Sequence, residues 1–363
     1  MRERTWVGER ITDCAVPPSG GHRGYHARVR TGRIGDCAVT ALGAGDVSLP
    51  ISAARGVPAR DVEHVLHEAI AFGITLFDVA DDADSERLVG DAVRAERVRD
   101  RVVVATRVPV LAERPGAPNR DTLVERMPVA YLQSRIEGAL RATRLDALPL
   151  VQLALRPAWL ASRAWPELVG SCARLLREGK VLAWGALLDE PGDDAAPALL
   201  AEPWLAAASV TYSVCDRRAE PLFAAAAKRG LAILARTPLA GGALAGTLGP
   251  GVSLKPRDER NALEPAVLER IAVGVARLAA LVKVQPPAVW ASEAARQISE
   301  RAARPAHLEC GDVAELALRF AIDRAGIALP RLHRREHLLP GIAAASAPSL
   351  SDALIARLLD DTR

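Results

Sequence analysis

The sequence predicts an α/β fold of the (β/α)8 TIM barrel type. Three observations lead to this prediction. Short apolar runs alternate along the chain with longer amphipathic stretches, which is typical of repeated β-α units. Eight such runs occur, and eight parallel strands close a barrel. The length of 363 residues also fits, because one such barrel commonly fills about 250 residues or more.

The eight predicted strands are apolar on both faces, as expected of parallel strands covered by helices. They are Ala38–Ala44, Ile74–Ala80, Val102–Val108, Leu148–Leu155, Val181–Leu187, Ser209–Val214, Leu231–Arg236 and Ile327–Leu332. The predicted helices are Asp61–Phe72, Ser85–Arg97, Tyr131–Thr143, Pro166–Arg177, Ala196–Ala206, Pro221–Lys228, Leu268–Val282 and Val313–Arg324, with a last helix pair after the eighth strand. Residues 1–24 are interpreted as a loose extension, and residues 25–363 as one barrel domain.

Composition narrows the classes of function. The net charge of +3 is too small to indicate nucleic-acid binding or an acidic membrane surface. No run of about 18 apolar residues occurs, so no membrane span is expected, and with no signal peptide visible we expect a cytoplasmic protein. The five cysteines form no CxxC pair, so the sequence does not predict a cysteine-based metal site. The preference for Arg over Lys is typical of GC-rich bacterial coding.

Five short motifs follow one another along the chain. They are Phe77–Ala80 with Ser85–Gly90, Val102–Arg107, Gly179–Gly185, Cys215–Glu220 and Thr237–Gly246. In this order and spacing they resemble the aldo/keto reductase superfamily, from roughly residue 25 to the end. The resemblance implies a barrel whose N-terminal end is covered by a hairpin at residues 25–38, extra C-terminal helices, and NADP(H) as the cofactor.

The resemblance also implies four catalytic groups at the barrel mouth. In the family a Tyr donates a proton while NADPH delivers hydride, a Lys paired with an Asp lowers the phenol pKa, and a His orients the substrate. Here Asp78 keeps the Asp, but the Tyr, Lys and His positions fall on Ala83, Arg107 and Ala154-Leu155. Tyr212, in the sixth predicted strand, is the first candidate for a substitute acid.

The positions implied to read the cofactor differ as well. Where the family has Ser-Asn, Gln and a stacking Tyr at the nicotinamide, this chain has Leu187-Leu188, Ser209 and Arg236. The segment after the eighth strand resembles the family's 2′-phosphate site but lacks its Gly and Asn. Its basic residues are Arg331, His333, Arg334 and Arg335. We therefore expect the implied NADP(H) to bind weakly.

Several charged residues allow two interpretations. Asp78 is either a relict acid/base or the partner of Arg107 in a buried ion pair. Arg107, Arg156 and Arg236 all end or follow strands, so they form either a site for an anionic ligand or three separate ion pairs. The basic segment after the eighth strand is either a phosphate clamp or a solvated helix start. The acidic residues that follow Asp78 either cap the next helix or take part in catalysis.

Three functions remain open at this point. The first is a repurposed enzyme that binds a small anionic molecule and carries out non-redox or unconventional chemistry. The second is an active NAD(P)H oxidoreductase that uses a substitute acid such as Tyr212. The third is a non-catalytic barrel that senses a ligand or binds a partner, because a fold alone does not decide function.

Overall fold

The computed structural model describes residues 29–112, 122–189, 192–281, 310 and 312–361. The predicted extension over residues 1–24 lies outside these residues and stays a prediction. Throughout the described chain, no helix is both long and apolar enough to cross a membrane.

An antiparallel hairpin precedes the barrel and consists of β1 (Thr31–Ile34) and β2 (Cys37–Thr40). Its inward side chains pack with the first inward residues of the barrel strands, such as Leu76 and Val103, so the hairpin covers the N-terminal end. The predicted hairpin is confirmed, but its bounds were wrong, since it continues to Thr40. The apolar run that predicted a barrel strand there spans two elements, the second hairpin strand and the approach to the barrel.

Eight parallel strands follow one another in sequence order around the sheet. They are β3 (Ala44–Val47), β4 (Leu76–Val79), β5 (Val103–Val108), β6 (Leu150–Ala154), β7 (Trp184–Leu188), β8 (Leu205–Thr211), β9 (Ala232–Arg236) and β10 (Gly326–Leu329). The N–H groups of Gly43 and Gly45 donate to Ala328 O at 2.9 Å and to Pro330 O at 2.8 Å. These hydrogen bonds join the first strand to the last and close the predicted (β/α)8 barrel.

Helices surround the barrel and extend beyond its last strand. They are α1 (Leu49–Ala54), α2 (Ala59–Ala71), α3 (Ala83–Ala95), α4 (Leu123–Arg126), α5 (Val129–Thr143), α6 (Trp165–Arg177), α7 (Ala196–Leu200), α8 (Glu220–Arg229), α9 (Pro265–Leu281), α10 (Val313–Ala325), α11 (Arg335–Ser346) and α12 (Asp352–Asp361). The prediction of one helix over Ala196–Ala206 was wrong. Pro203 disfavours helical backbone at the residue before it, and the Ala-rich segment beyond it forms β8, which is buried on both faces.

Alternation along the strands determines which side chains enter the barrel. In β4 the buried side chain of Leu76 belongs to the inner cluster, whereas Phe77 and Val79 pack outward beneath the helices. The same alternation places Asp78, Arg107 and Arg236 on the inner face at the C-terminal rim. This rim is the end where barrels of this type carry their functional residues.

Candidate functional site

A buried ion pair joins β4 to β5 at the barrel mouth. Arg107 Nε donates to Asp78 Oδ1 at 3.0 Å, and Arg107 Nη2 donates to Asp78 Oδ2. Asp78 is fully buried. The predicted Asp78–Arg107 ion pair is therefore confirmed, in the two-pronged geometry that suits a guanidinium and a carboxylate.

Both oxygens of the Asp78 carboxylate are fully occupied as hydrogen-bond acceptors. Gln152 Nε2 donates to its Oδ1 at 2.8 Å, and the backbone N–H of Asp46 donates to its Oδ2 at 3.0 Å. Together with Arg107, these groups give each oxygen two donors. A carboxylate whose oxygens are both fully engaged has no free position at which to exchange a proton with a substrate, so the geometry favours a structural role over proton transfer.

Asp46 extends the cluster across the mouth, and sequence reasoning missed it. Its carboxylate accepts from Arg107 Nη1 at 2.9 Å and from Arg331 Nη2. Burial raises the pKa of Asp46, but Arg107 and Arg331 outweigh burial and hold that pKa below its usual range. Burial lowers the pKa of Arg107, but Asp78 and Asp46 outweigh burial and hold that pKa above its usual value.

The remaining predicted arginines of the rim meet at a second carboxylate. Arg156 Nη1 lies 3.2 Å from Asp189 Oδ2, and Arg236 Nη2 lies 3.7 Å from Asp189 Oδ1. Arg236 Nη2 also donates to Leu188 O at 3.2 Å. Burial, followed by the nearby cation of Arg107, lowers the pKa of Arg236. The structure thus brings Arg107, Arg156 and Arg236 to one rim, as predicted, although each also has a carboxylate partner.

Tyr212 does not join this cluster. The residue follows β8, and the strand alternation turns its side chain outward, where the ring packs with Phe223 and Phe320 of the surrounding helices. Its hydroxyl donates to Glu220 Oε1 at 2.9 Å, and burial followed by Glu220 raises its pKa. The expectation that Tyr212 lies at the mouth was therefore wrong, because its buried, tightly held proton faces the helices.

The basic segment after β10 divides between the mouth and the outer helices. Arg331 reaches Asp46, but Arg335 Nε lies 2.9 Å from Glu68 Oε1 on α2, and Arg334 Nη2 donates to Arg55 O at 3.5 Å. Burial, followed by His337 and Arg331, lowers the pKa of His333 to about 3. Of the four residues predicted to clamp a phosphate, only Arg331 brings a cation into the cluster.

The residues at the implied nicotinamide positions do not fit that group. Leu187 and Leu188 are buried and are apolar, so they cannot form hydrogen bonds with the nicotinamide carboxamide. Among these positions, only the hydroxyl of Ser209 could do so. Arg236 stands where the resemblance implies a stacking ring, and its cation would repel the positively charged oxidised nicotinamide. Within the described residues, no group of three or more His, Cys, Asp or Glu side chains is placed to hold a metal ion.

The acidic residues beside the mouth lie at the start of α3, with Asp82 as its N-cap and Asp84 and Glu86 in its first turn. Asp82 Oδ1 accepts from Ser85 N at 2.8 Å and caps the helix. Glu86, in the first turn, is buried, and its nearest cation is Arg135, whose Nη2 lies 3.6 Å from Glu86 Oε1. Burial raises the pKa of Glu86 to about 7, and Arg135 opposes this only in part.

Glu86→Gln should stabilise the protein increasingly as pH rises from about 5 to 8. A carboxyl whose pKa is raised on folding favours the folded state while protonated, and this contribution is lost as pH passes through its folded pKa. Above pH 7 the neutral amide should therefore gain about 1–3 kcal/mol relative to glutamate. Urea unfolding of both proteins at pH 5 and pH 8 checks this, and an equal difference at both pH values would contradict it.

Comparison with known proteins agrees with this fold. Residues 41–360 match the model of the aldo/keto reductase family. An aldo-keto reductase from Bacillus halodurans in its holo form superposes with a TM-score of 0.64 and 18% identity, over 93% of this chain and 97% of that chain. A glycerol dehydrogenase from Gluconobacter oxydans gives 0.63 and 19%, over 91% and 94%. No curated protein sequence matches significantly.

Proposed function

The chain belongs to the aldo/keto reductase family, and we propose that it uses the mouth of the family's barrel to bind a small organic anion instead of carrying out hydride transfer from NADPH. One observation carries the proposal. Arg236 Nε and Arg331 Nη1 are enclosed in protein, and neither has a hydrogen-bond partner among the residues described. Buried donors without partners are costly, so the charge of these two guanidinium groups is only partly met by the described residues, and an anion held beside them at the mouth would offset that cost.

The charge balance of the mouth supports the same ligand class. Four guanidinium groups face three carboxylates, which leaves one net positive charge. The residues are Arg107, Arg156, Arg236 and Arg331, with Asp46, Asp78 and Asp189. The side chains of Arg236 and Arg331 are 19% and 17% exposed, so a ligand at the mouth can contact the exposed part of each, although Arg236 Nε and Arg331 Nη1 are enclosed.

The chemistry that such a site favours is electrostatic. Arg107 holds its proton too tightly to act as an acid, and Asp78 is saturated as an acceptor. Guanidinium groups fixed in a partly dry pocket can instead stabilise negative charge that develops on a bound carboxylate or carbonyl oxygen. The reaction class proposed is therefore non-redox, and the same site would equally serve a barrel that only senses its ligand.

An NAD(P)H-dependent oxidoreductase remains the second candidate, because the family generally binds NADP(H). Arg331, which follows β10, keeps one cation at the position that the resemblance assigns to the cofactor phosphate. This candidate requires both tight NADPH binding and a proton donor other than Tyr212. The two functions are separated by the titration described at the end of the Discussion.

Butyrate, a small singly charged acid, should bind the wild-type protein, and Arg236→Gln should weaken that binding at least about 10-fold. The substitution keeps a polar side chain but removes a charge-assisted hydrogen bond worth about 1.5–3 kcal/mol. Calorimetric titration at low ionic strength measures both affinities. Arg99→Gln is the matched control, since Arg99 forms an exposed pair with Asp146. Equal affinity in wild type and Arg236→Gln would refute the site.

A further inference from the structure

Asp46 occupies an unusual place in the barrel mouth. It follows Gly43-Ala44-Gly45, where a Cβ added to Gly45 would lie 2.1 Å from Leu329 O. The backbone of Gly45 therefore lies against the end of β10, and Asp46, inside β3 where the strand register shifts, takes a left-handed backbone conformation with φ 47°. Non-glycine residues held in this region often mark functional sites. Here the irregularity directs a carboxylate of β3 across the rim to Arg107 of β5 and to Arg331, which follows β10.

This carboxylate is the one best placed to meet a ligand's charge. Asp78 is enclosed by four donors, and Asp189 is 49% exposed, so solvent screens its field. The side chain of Asp46 is 28% exposed. Its Oδ2 accepts from Nη2 of Arg331, the same guanidinium group whose Nη1 has no partner among the described residues. Any anion that approaches the guanidinium group of Arg331 therefore also approaches Asp46.

We propose that Asp46 determines the charge of the ligand, so that the mouth accepts singly charged organic acids and excludes dianions. This inference rests on the proposed anion-binding function and specifies its substrate class. With Asp46 in place, one bound carboxylate neutralises the single net positive charge of the rim. A second carboxylate on the same ligand would meet Asp46 without a cation left to balance it.

The expected size of this discrimination follows from simple electrostatics. Like charges separated by roughly 6–8 Å, at an effective dielectric constant near 20, change affinity by about 10–100-fold once salt screening is included. Asp46→Asn removes the negative charge of this side chain but keeps its shape. Asparagine also tolerates left-handed backbone, and the N–H donated to Asp78 is retained.

The test compares butyrate with succinate, which has the same carbon chain and a second carboxylate. Calorimetric titrations at pH 8 and low ionic strength should show that the wild type binds butyrate more tightly than succinate. Asp46→Asn should raise the succinate-to-butyrate affinity ratio about 10-fold or more. Asp91→Asn, which removes an exposed carboxylate paired with Arg94 on α3, should leave the ratio unchanged.

The outcomes separate this inference from the function on which it rests. If both acids bind through Arg236 but the ratio is the same in wild type and Asp46→Asn, the role of Asp46 is refuted and the anion site stands. If neither acid binds the wild type, both proposals fall. Should Asp46→Asn not fold, the wild type still decides, because tighter binding of succinate than of butyrate contradicts the inference.

Discussion

Replacing Arg107 by alanine should lower the free energy of unfolding by about 3–5 kcal/mol, the usual cost of removing one partner from a buried ion pair. The reason is that the carboxylate of Asp78 would stay enclosed with only Gln152 and a backbone N–H as donors. Arg107 also holds Asp46, so the loss disrupts the link between β3 and β5. Asp78 itself lies in β4, between these two strands.

Urea unfolding followed by circular dichroism measures this loss. Arg99→Ala is the matched control, because it removes an arginine from an exposed pair with Asp146, and exposed pairs contribute about 0–1 kcal/mol. A difference of less than about 1 kcal/mol between the two variants would show that the Asp78–Arg107 pair does not stabilise the barrel.

Carbonyl reductase activity should be negligible in the wild type, and Ala83→Tyr alone should not restore it. Hydride addition to a carbonyl requires a proton donor at the oxygen, and such general acid catalysis contributes roughly 10²–10⁴-fold. Ala83, the first residue of α3, has no proton to donate. Arg107 uses all three of its nitrogens on Asp78 and Asp46, and it cannot tune a phenol as a Lys would.

An NADPH-oxidation assay with reactive aldehydes tests this prediction. The wild type, Ala83→Tyr and the double variant Ala83→Tyr with Arg107→Lys should all stay far below the typical enzyme kcat of about 10 s⁻¹. The double variant still lacks groups that pair with the nicotinamide amide, so it too should be slow. A wild-type kcat near that typical value would mean that another residue supplies the proton.

Much of the fold could be predicted from the sequence, because most of the barrel strands are short runs that are apolar on both faces. The secondary-structure prediction failed in two situations. In one, a single apolar run spanned two structural elements, and in the other, the helix propensity of the residues opposed their burial in a strand. The run from Ala38 to Ala44 joins the hairpin to the barrel, and the alanines of β8 favour a helix in isolation. Burial on both faces overrides that preference, and a single sequence does not reveal burial directly.

The site was predictable only where strand position and residue type coincided. Asp78 and Arg107 end neighbouring strands, so their contact followed from the fold. Asp46 was missed because its place depends on the left-handed backbone and the register irregularity within β3, and Gly43-Ala44-Gly45 was the one available signal. Tyr212 was misplaced because the sequence offered no register from which to decide its direction, whereas in the structure it directly follows β8 with its side chain on the outer face.

Calorimetric titration of the wild-type protein with NADPH tests the proposed function most directly, namely that the barrel mouth binds an organic anion and no longer binds the nicotinamide cofactor. Each unpaired polar group on the cofactor should cost about 1–3 kcal/mol, so Leu187, Leu188 and Arg236 together should weaken binding by several orders of magnitude. We predict no submicromolar binding and no change in nicotinamide fluorescence at low cofactor concentration. Submicromolar NADPH binding would contradict this conclusion and favour the oxidoreductase.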